Sequence, residues 1–186
     1  LPGFIVLSQA RTPVRPDALS AARDFVLTRL ATELRDDLLA VRQAARPSGP
    51  YSADQASIAG RRLANAALAL LGAVEDREVT SLAEAQFASA DTLTDSQAAL
   101  AVLCQRHGES RENALDAFYH RWKDDALVLD KWFGLQATSR PVDASAATRL
   151  RGHVDFTLDN PNRVRALAGA FAMQNFRGFQ AEDGSG

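Results

Sequence analysis

Cysteine is almost missing: Cys104 stands alone among 186 residues. A lone thiol closes no internal disulfide, which excludes a disulfide-built scaffold and fits a reducing, cytoplasmic compartment. An excess of either charge is missing too, with 21 Lys and Arg against 23 Asp and Glu, a formal net charge of -2. That balance gives no electrostatic reason to expect nucleic acid or an anionic membrane as partner. No apolar run approaches the ~20 residues that a membrane helix needs. The opening stretch LPGFIVLSQARTP lacks the basic segment of a secretion signal. Methionine occurs once, at Met173. A chain that starts on Leu1-Pro2 and closes on Gly-Ser-Gly reads as an excised piece of a longer polypeptide.

What remains is ordinary globular composition, 46% hydrophobic and 24% charged, enough for one sizeable core. Almost all of it has helical periodicity. LPGFIVLS is the only plausible strand, and residues 1–16 read as a lead-in ended by Pro13 and Pro16. Leu27, Leu30, Leu34, Leu38 and Val41 then mark a long stripe between Asp17 and Ala45. RPSGPYS is a loop. Ser52 with Gln55, and Thr94 with Gln97, fit capping boxes. The helix after Ser52 aligns Leu63, Ala66, Ala67, Leu70, Leu71 and Val74. A shorter helix is expected over Val79–Ala88. Gly108 suits a left-handed stop, Ser110 a cap, and Leu115, Phe118, Tyr119 and Trp122 an apolar face. Three more helices follow, the last opened by Asn160 and Pro161. The prediction is one all-α domain over residues 17–186, an α-α superhelix of HEAT or armadillo type with roughly eight helices and short connections.

Candidate chemistry is sparse. His107, His120 and His153 form no H-E-x-x-H, and Cys104 with His107 gives two ligands at most, so no metal site is expected. No G-x-S-x-G elbow or glycine-rich phosphate loop exists. Cys104 sits in the apolar LAVLCQRHG, where packing competes with reactivity. Asp36-Asp37 and Asp124-Asp125 diverge by about 100° on a helix and read as solvated surface. Phe118, Tyr119, Trp122, Trp132 and Phe133 make either a ligand cage or the crossing of two helices. The last helix presents Val164, Leu167, Ala168 and Phe171 on one face, and Asn162, Arg165, Gly169 and Ala172 on another. Its N-terminus, with Arg163 and Arg165, is suited to a carboxylate. Alternatively both arginines pair with local acids such as Asp155 or Asp159.

The stretches DKWF, LQATS, NPNR and AEDGSG, within FYHRWKDDALVLDKWFGLQATS and FTLDNPNRVRALAGAFAMQNFRGFQAEDGSG, resemble the C-terminal helical domain of the bacterial aminopeptidase N family. RLATELRDDLLA and AGRRLANAALALL resemble earlier helices of that domain. The resemblance implies a zinc-dependent exopeptidase whose H-E-x-x-H and third Glu ligand lie in a separate catalytic domain. It implies that this superhelix covers the active site and forms a chamber limiting peptide access. The family domain continues past AEDGSG, so the chain is expected to be truncated at its C-terminal end and inactive by itself. Zinc would belong to the parent enzyme. The partners would be its catalytic domain and peptide substrates. Asn162, Arg163 and Arg165 match the family's Asn-Pro-Asn-Arg-x-Arg run and are the candidate substrate-facing residues, Arg165 foremost. The alternative is a free-standing HEAT-like protein-interaction module.

Overall fold

The structure, a computed structural model, describes residues 1–186 apart from Arg11, Ser48, Pro50, Glu182, Asp183, Ser185 and Gly186. Parts of the expected RPSGPYS loop and of the AEDGSG run therefore lie outside the described residues. The elements are α1 (Phe4–Ser8), α2 (Pro16–Glu33), α3 (Arg35–Ala45), α4 (Gln55–Leu71), α5 (Arg77–Ser89), α6 (Leu93–Cys104), α7 (Glu109–Trp122), α8 (Ala126–Ala137) and α9 (Ala144–Arg151). A final rod follows, made of α10 (Pro161–Val164), a π-helical turn (Arg165–Gly169) and α11 (Ala170–Gln174), before the short α12 (Phe176–Phe179). No strand occurs among the described residues. LPGFIVLS, expected as a strand, forms α1 instead. A lone strand leaves its amides and carbonyls without a ladder, whereas one helical turn satisfies them locally. The all-α class is as the periodicity implied.

The chain divides into two compact units, Leu1–Arg23 with Leu115–Gly186, and Asp24–Ala114. In the Asp24–Ala114 unit α3 packs on α4, α5 on α6, and α4 on α6. Ala64, Ala67, Leu68, Leu71, Val79, Ala83, Ala99, Leu100 and Leu103 form its interior. Many of these are alanines, which let helices approach closely. Gly60 goes further: a Cβ there would stand 2.4 Å from the Ala45 carbonyl oxygen, so α4 meets the end of α3 only because position 60 has no side chain.

Two expected faces are rotated. In the stripe ending at Val41, Leu30, Leu34 and Val41 are each more than a third exposed, and the buried residues are Ala31 and Arg42. The helix also breaks at Leu34, whose backbone (φ -102°, ψ 17°) leaves the helical region between α2 and α3. On α4, Leu63 is 53% exposed while Ala64 and Leu68 are buried. Caps moved as well. Asp54, not Ser52, caps α4 by accepting from the Ser57 amide at 2.9 Å. Hydrogen bonds from the Ser52 and Ser57 side chains hold its carboxyl well below the usual range. Thr92, not Thr94, caps α6, accepting from the Asp95 amide at 3.1 Å. Ser110 lies inside α7, and Gly108 has the left-handed φ of +97° in the link before it.

In the other unit α8 packs against the π-helical turn and α11, with α9 also on that turn. Phe118, Val128, Leu129, Trp132, Phe133, Ala137, Leu167 and Phe171 are buried there. The Trp132 indole donates to the Leu115 carbonyl at 2.9 Å, so the largest side chain hides its polar edge in a hydrogen bond. Stacking of Phe4 on Phe176, with centroids 3.7 Å apart, ties α1 to α12.

Candidate functional site

Asn160 and Pro161 open the final rod as the sequence implied. The Asn160 side chain accepts from the Asn162 amide at 3.0 Å and the Arg163 amide at 3.3 Å. Pro161 has no amide to satisfy, and the Val164 amide bonds the Asn160 carbonyl at 3.1 Å. The helix start is thus closed on itself. The donors that a carboxylate was expected to find there are already used.

The two arginines part company. Arg163, expected to face outward, is 5% exposed. Its Nε donates to Asp130 Oδ1 on α8, and one terminal nitrogen donates to the Asp155 carbonyl. Its guanidinium also lies over the Phe133 ring, 5.1 Å from the centroid. With Asp130 only 12% exposed at its side chain, this is a buried ion pair joining α10 to α8. Arg165 is exposed, and its nearest polar partner is Asn162 Oδ1 at a long 3.5 Å. Asn162 is exposed beside it. A Cβ placed on Gly169 would meet nothing closer than Arg165 Cβ at 3.7 Å. On this expected face Asn162 and Arg165 are exposed, whereas Gly169 and Ala172 are half-buried.

The opposite face carries the packing, with one change of phase. The π-helical turn bonds i to i+5, fitting an extra residue into that turn. Leu167, Ala170 and Phe171 are buried, but Ala168 is exposed and Val164 only half-buried. A strict 3.6-residue period had placed Val164 and Ala168 inside.

The aromatic residues form core rather than cage. Tyr119, Trp132 and Phe133 surround the His153 ring with centroid distances of 5.1 to 5.6 Å. His153 Nδ1 accepts from the Asp155 amide at 3.2 Å. The Tyr119 hydroxyl donates to Asp155 Oδ2 at 2.5 Å, and that bond pushes the phenol's pKa up. Asp155 therefore spends its carboxylate on Tyr119 and its carbonyl on Arg163, and neither on Arg165.

Cys104 is fully buried and burial pushes its thiol up to about 12. It carries no nucleophile at neutral pH. His107 lies past the end of α6, exposed, and shares no helix face with Cys104. Among the described residues no group of three or more His, Cys, Asp or Glu is placed to hold a metal ion. Among the described residues no helix is long and apolar enough to cross a membrane.

Two residues central to this region were missed. Asp130, the partner of Arg163, sits within DKWF, but 33 residues separate the two and no local pattern joins them. Asn175 is 5% exposed, and its amide donates to the carbonyls of Ala137, Ser139 and Val142 at 2.7 to 3.0 Å. It fastens the end of α11 to the turn after α8.

The family described as a domain of unknown function (DUF3458_C), ARM repeats, matches residues 1–186. Aminopeptidase N of Escherichia coli K12 is 38% identical over 187 residues, covering all of this chain and 21% of its own length. Aminopeptidase N of Caulobacter vibrioides is 37% identical over 172 residues, covering 92% of this chain and 20% of its own. The crystal structure of Legionella pneumophila aminopeptidase A in complex with aspartic acid superposes with a TM-score of 0.80 at 29% identity, covering 97% of this chain and 22% of that one. The chain thus spans about a fifth of the length of the relatives it matches, in their C-terminal region.

Proposed function

The chain belongs to the ARM-repeat family described as DUF3458_C, and from that premise we propose that it is the non-catalytic C-terminal part of a zinc-dependent aminopeptidase. In this reading residues 17–186 cover the active site and shape a chamber that limits which peptides enter. The observation that carries it is the match, along the whole chain, to about a fifth of aminopeptidase N. The zinc ligands and the general base would lie in the remainder of that cytoplasmic polypeptide, which would be the chain's first partner. Peptide substrates would be the second.

Within this chain the substrate-facing role falls to Arg165, assisted by Asn162. Both are exposed at the start of the rod, whereas Arg163 holds that rod in place through Asp130. The Arg165 guanidinium would give a peptide carboxylate beyond the scissile bond a charge-assisted hydrogen bond of about 1.5–3 kcal/mol. In the full polypeptide, Arg165→Ala is therefore expected to raise KM for short free-acid peptides about ten- to a hundredfold. Small chromogenic amides that end at the scissile bond should be spared. Unchanged discrimination between the two substrate kinds would remove Arg165 from the site. The chain alone should bind no stoichiometric zinc and should not cleave aminoacyl-nitroanilides. Chelator-sensitive turnover by the chain alone would overturn the non-catalytic reading itself.

A further inference from the structure

The Asp24–Ala114 unit carries a groove lined by three arginines, Arg46, Arg61 and Arg62, and two aspartates, Asp91 and Asp95. Its deep end is a cleft of about 210 Å³ walled by Arg46, Arg61, Asn65, Gln86 and Asp95. It opens into a wider hollow of about 580 Å³ beside Ile58, Arg62 and Leu93. Tyr51, Arg61 and Asp91 line both parts, which makes them one groove.

The floor is a closed polar network. Gln86, 3% exposed, donates to Asn65 Oδ1 at 2.8 Å and the Asp95 carbonyl at 3.1 Å. It accepts from Arg42 at 3.0 Å. Asp95 accepts from Asn65 at 2.6 Å and from the Thr92 hydroxyl at 3.0 Å. Both carboxylate oxygens of Asp95 are thereby engaged by neutral donors.

The cations are left over. Arg46, Arg61 and Arg62 make no ion pair with a carboxylate among the described residues, and neither does Arg42 behind Gln86. The Arg42 pKa is pushed down. Burial is the larger cause, and the positive charge of Arg46 adds to it. Arg61 is held in place: it donates to the Ser52 carbonyl at 2.8 Å and lies 5.0 Å above the Tyr51 ring. Tyr51 is 62% exposed and Ile58 44% exposed, giving the outer hollow an apolar wall.

We propose that this groove binds an acidic peptide segment, with an Asp or Glu carboxylate between Arg46 and Arg61 and an adjoining apolar side chain on Tyr51 and Ile58. Three arginines that pair directly with neither groove aspartate, beside an apolar shelf, are complementary to spaced carboxylates alternating with apolar side chains. A continuous polyanion fits less well, because Asp91 stands exposed at the mouth and the chain as a whole carries a net charge of -2. This inference is independent of the proposed role of Arg165.

The test is fluorescence anisotropy of the full chain with a labelled, C-terminally amidated peptide of alternating Glu and Leu. The controls are its Gln counterpart and a labelled single-stranded oligothymidine of similar length. The acidic peptide should bind about tenfold or more tighter than the Gln peptide. It should weaken as salt rises from about 0.05 M to about 0.5 M. Arg46→Ala and Arg62→Ala remove exposed side chains with no hydrogen-bond or ion-pair partner among the described residues and should leave the circular dichroism unchanged, so loss of binding cannot be attributed to misfolding. Each should weaken the acidic peptide about three- to tenfold, while Arg29→Ala on α2 should not. Equal binding of the Glu and Gln peptides would overturn the proposal. So would full affinity in the Arg46→Ala/Arg62→Ala double variant, or oligothymidine binding as tightly as the peptide.

Discussion

Replacing Arg163 by alanine should unfold this protein more readily than any neighbouring surface change, and the size of the effect follows from what is left behind. The guanidinium is 6% exposed at its side chain and Asp130 12%, so water does not replace the lost partner on Asp130. The Asp155 carbonyl loses its donor as well, and Phe133 loses the cation above its ring. Breaking a buried ion pair by removing one member costs about 3–5 kcal/mol, most of it the uncompensated charge. An unfolding entropy of about 2.1 cal/mol/K per residue gives roughly 0.4 kcal/mol/K for a chain of this length. The expected drop in Tm is therefore about 8–12 °C. Differential scanning calorimetry measures it directly, and R163M/D130L serves as the control. With both charges gone and apolar volume retained, most of the stability should return, because the penalty lies in the orphaned acid rather than in the lost attraction. Arg165→Ala, two residues away and exposed, should stay within about 0.5 kcal/mol of the parent. The reasoning fails if Arg163→Ala lowers Tm by under about 2 °C, or if R163M/D130L is no more stable than Arg163→Ala alone.

Three further outcomes are expected. Gly60→Ala should cost about 1–3 kcal/mol by urea titration, since the new methyl meets the Ala45 carbonyl backbone at 2.4 Å, whereas Gly134→Ala, facing only the Ala166 carbonyl oxygen at 3.5 Å, should be neutral or stabilising. Asn175→Ala should cost roughly 2–4 kcal/mol, because one truncation removes two amide hydrogens shared among the Ala137, Ser139 and Val142 carbonyls, of which Ser139 also accepts from the Val142 amide at 3.2 Å; a loss below about 1 kcal/mol would show that the other two carbonyls find donors as well. Cys104 should resist thiol reagents in the native state. Its folded pKa lies near 12 against an ordinary 9.0, so folding favours the protonated thiol. That contribution is intact below pH 9 and is lost as pH rises from there towards 12, so Cys104→Ala should flatten the alkaline decline in stability.

The periodicity of this chain disclosed helices readily and their buried faces poorly. Leucine spacing marked Leu30, Leu34 and Leu63, yet the interior holds Ala31 and Ala64, with Ala67 buried as expected. In an alanine-rich array the tightest contacts belong to the smallest side chains, because close approach excludes a leucine. A hydrophobicity pattern weighs those alanines too lightly to find the face they define. Caps failed for a related reason. Ser52 and Asp54 are both competent acceptors, and only the backbone's path decides that Asp54 reaches the amide. Where one candidate stood alone, as with Asn160 before Pro161, the start of the rod was legible.

The paired arginines show where the remaining information lies. Residues two apart on a helix point about 200° away from each other, so Arg163 and Arg165 could not both face a substrate. That much is elementary geometry available in the NPNRVR run. Which of them turns inward is not local. It is set by Asp130, a carboxylate carried on α8 and 33 positions distant, together with the Phe133 ring beside it. With the extra residue accommodated by the π-helical turn, Leu167 and Phe171 stay buried as expected, while Ala170 is buried and Ala168 is exposed. The consequence is a division of labour within one motif. Arg163 spends its charge inside the fold, and by doing so it holds the rod on which Arg165 stands exposed. A substitution at Asp130 should therefore disturb any role of Arg165 through the rod, without touching Arg165 itself.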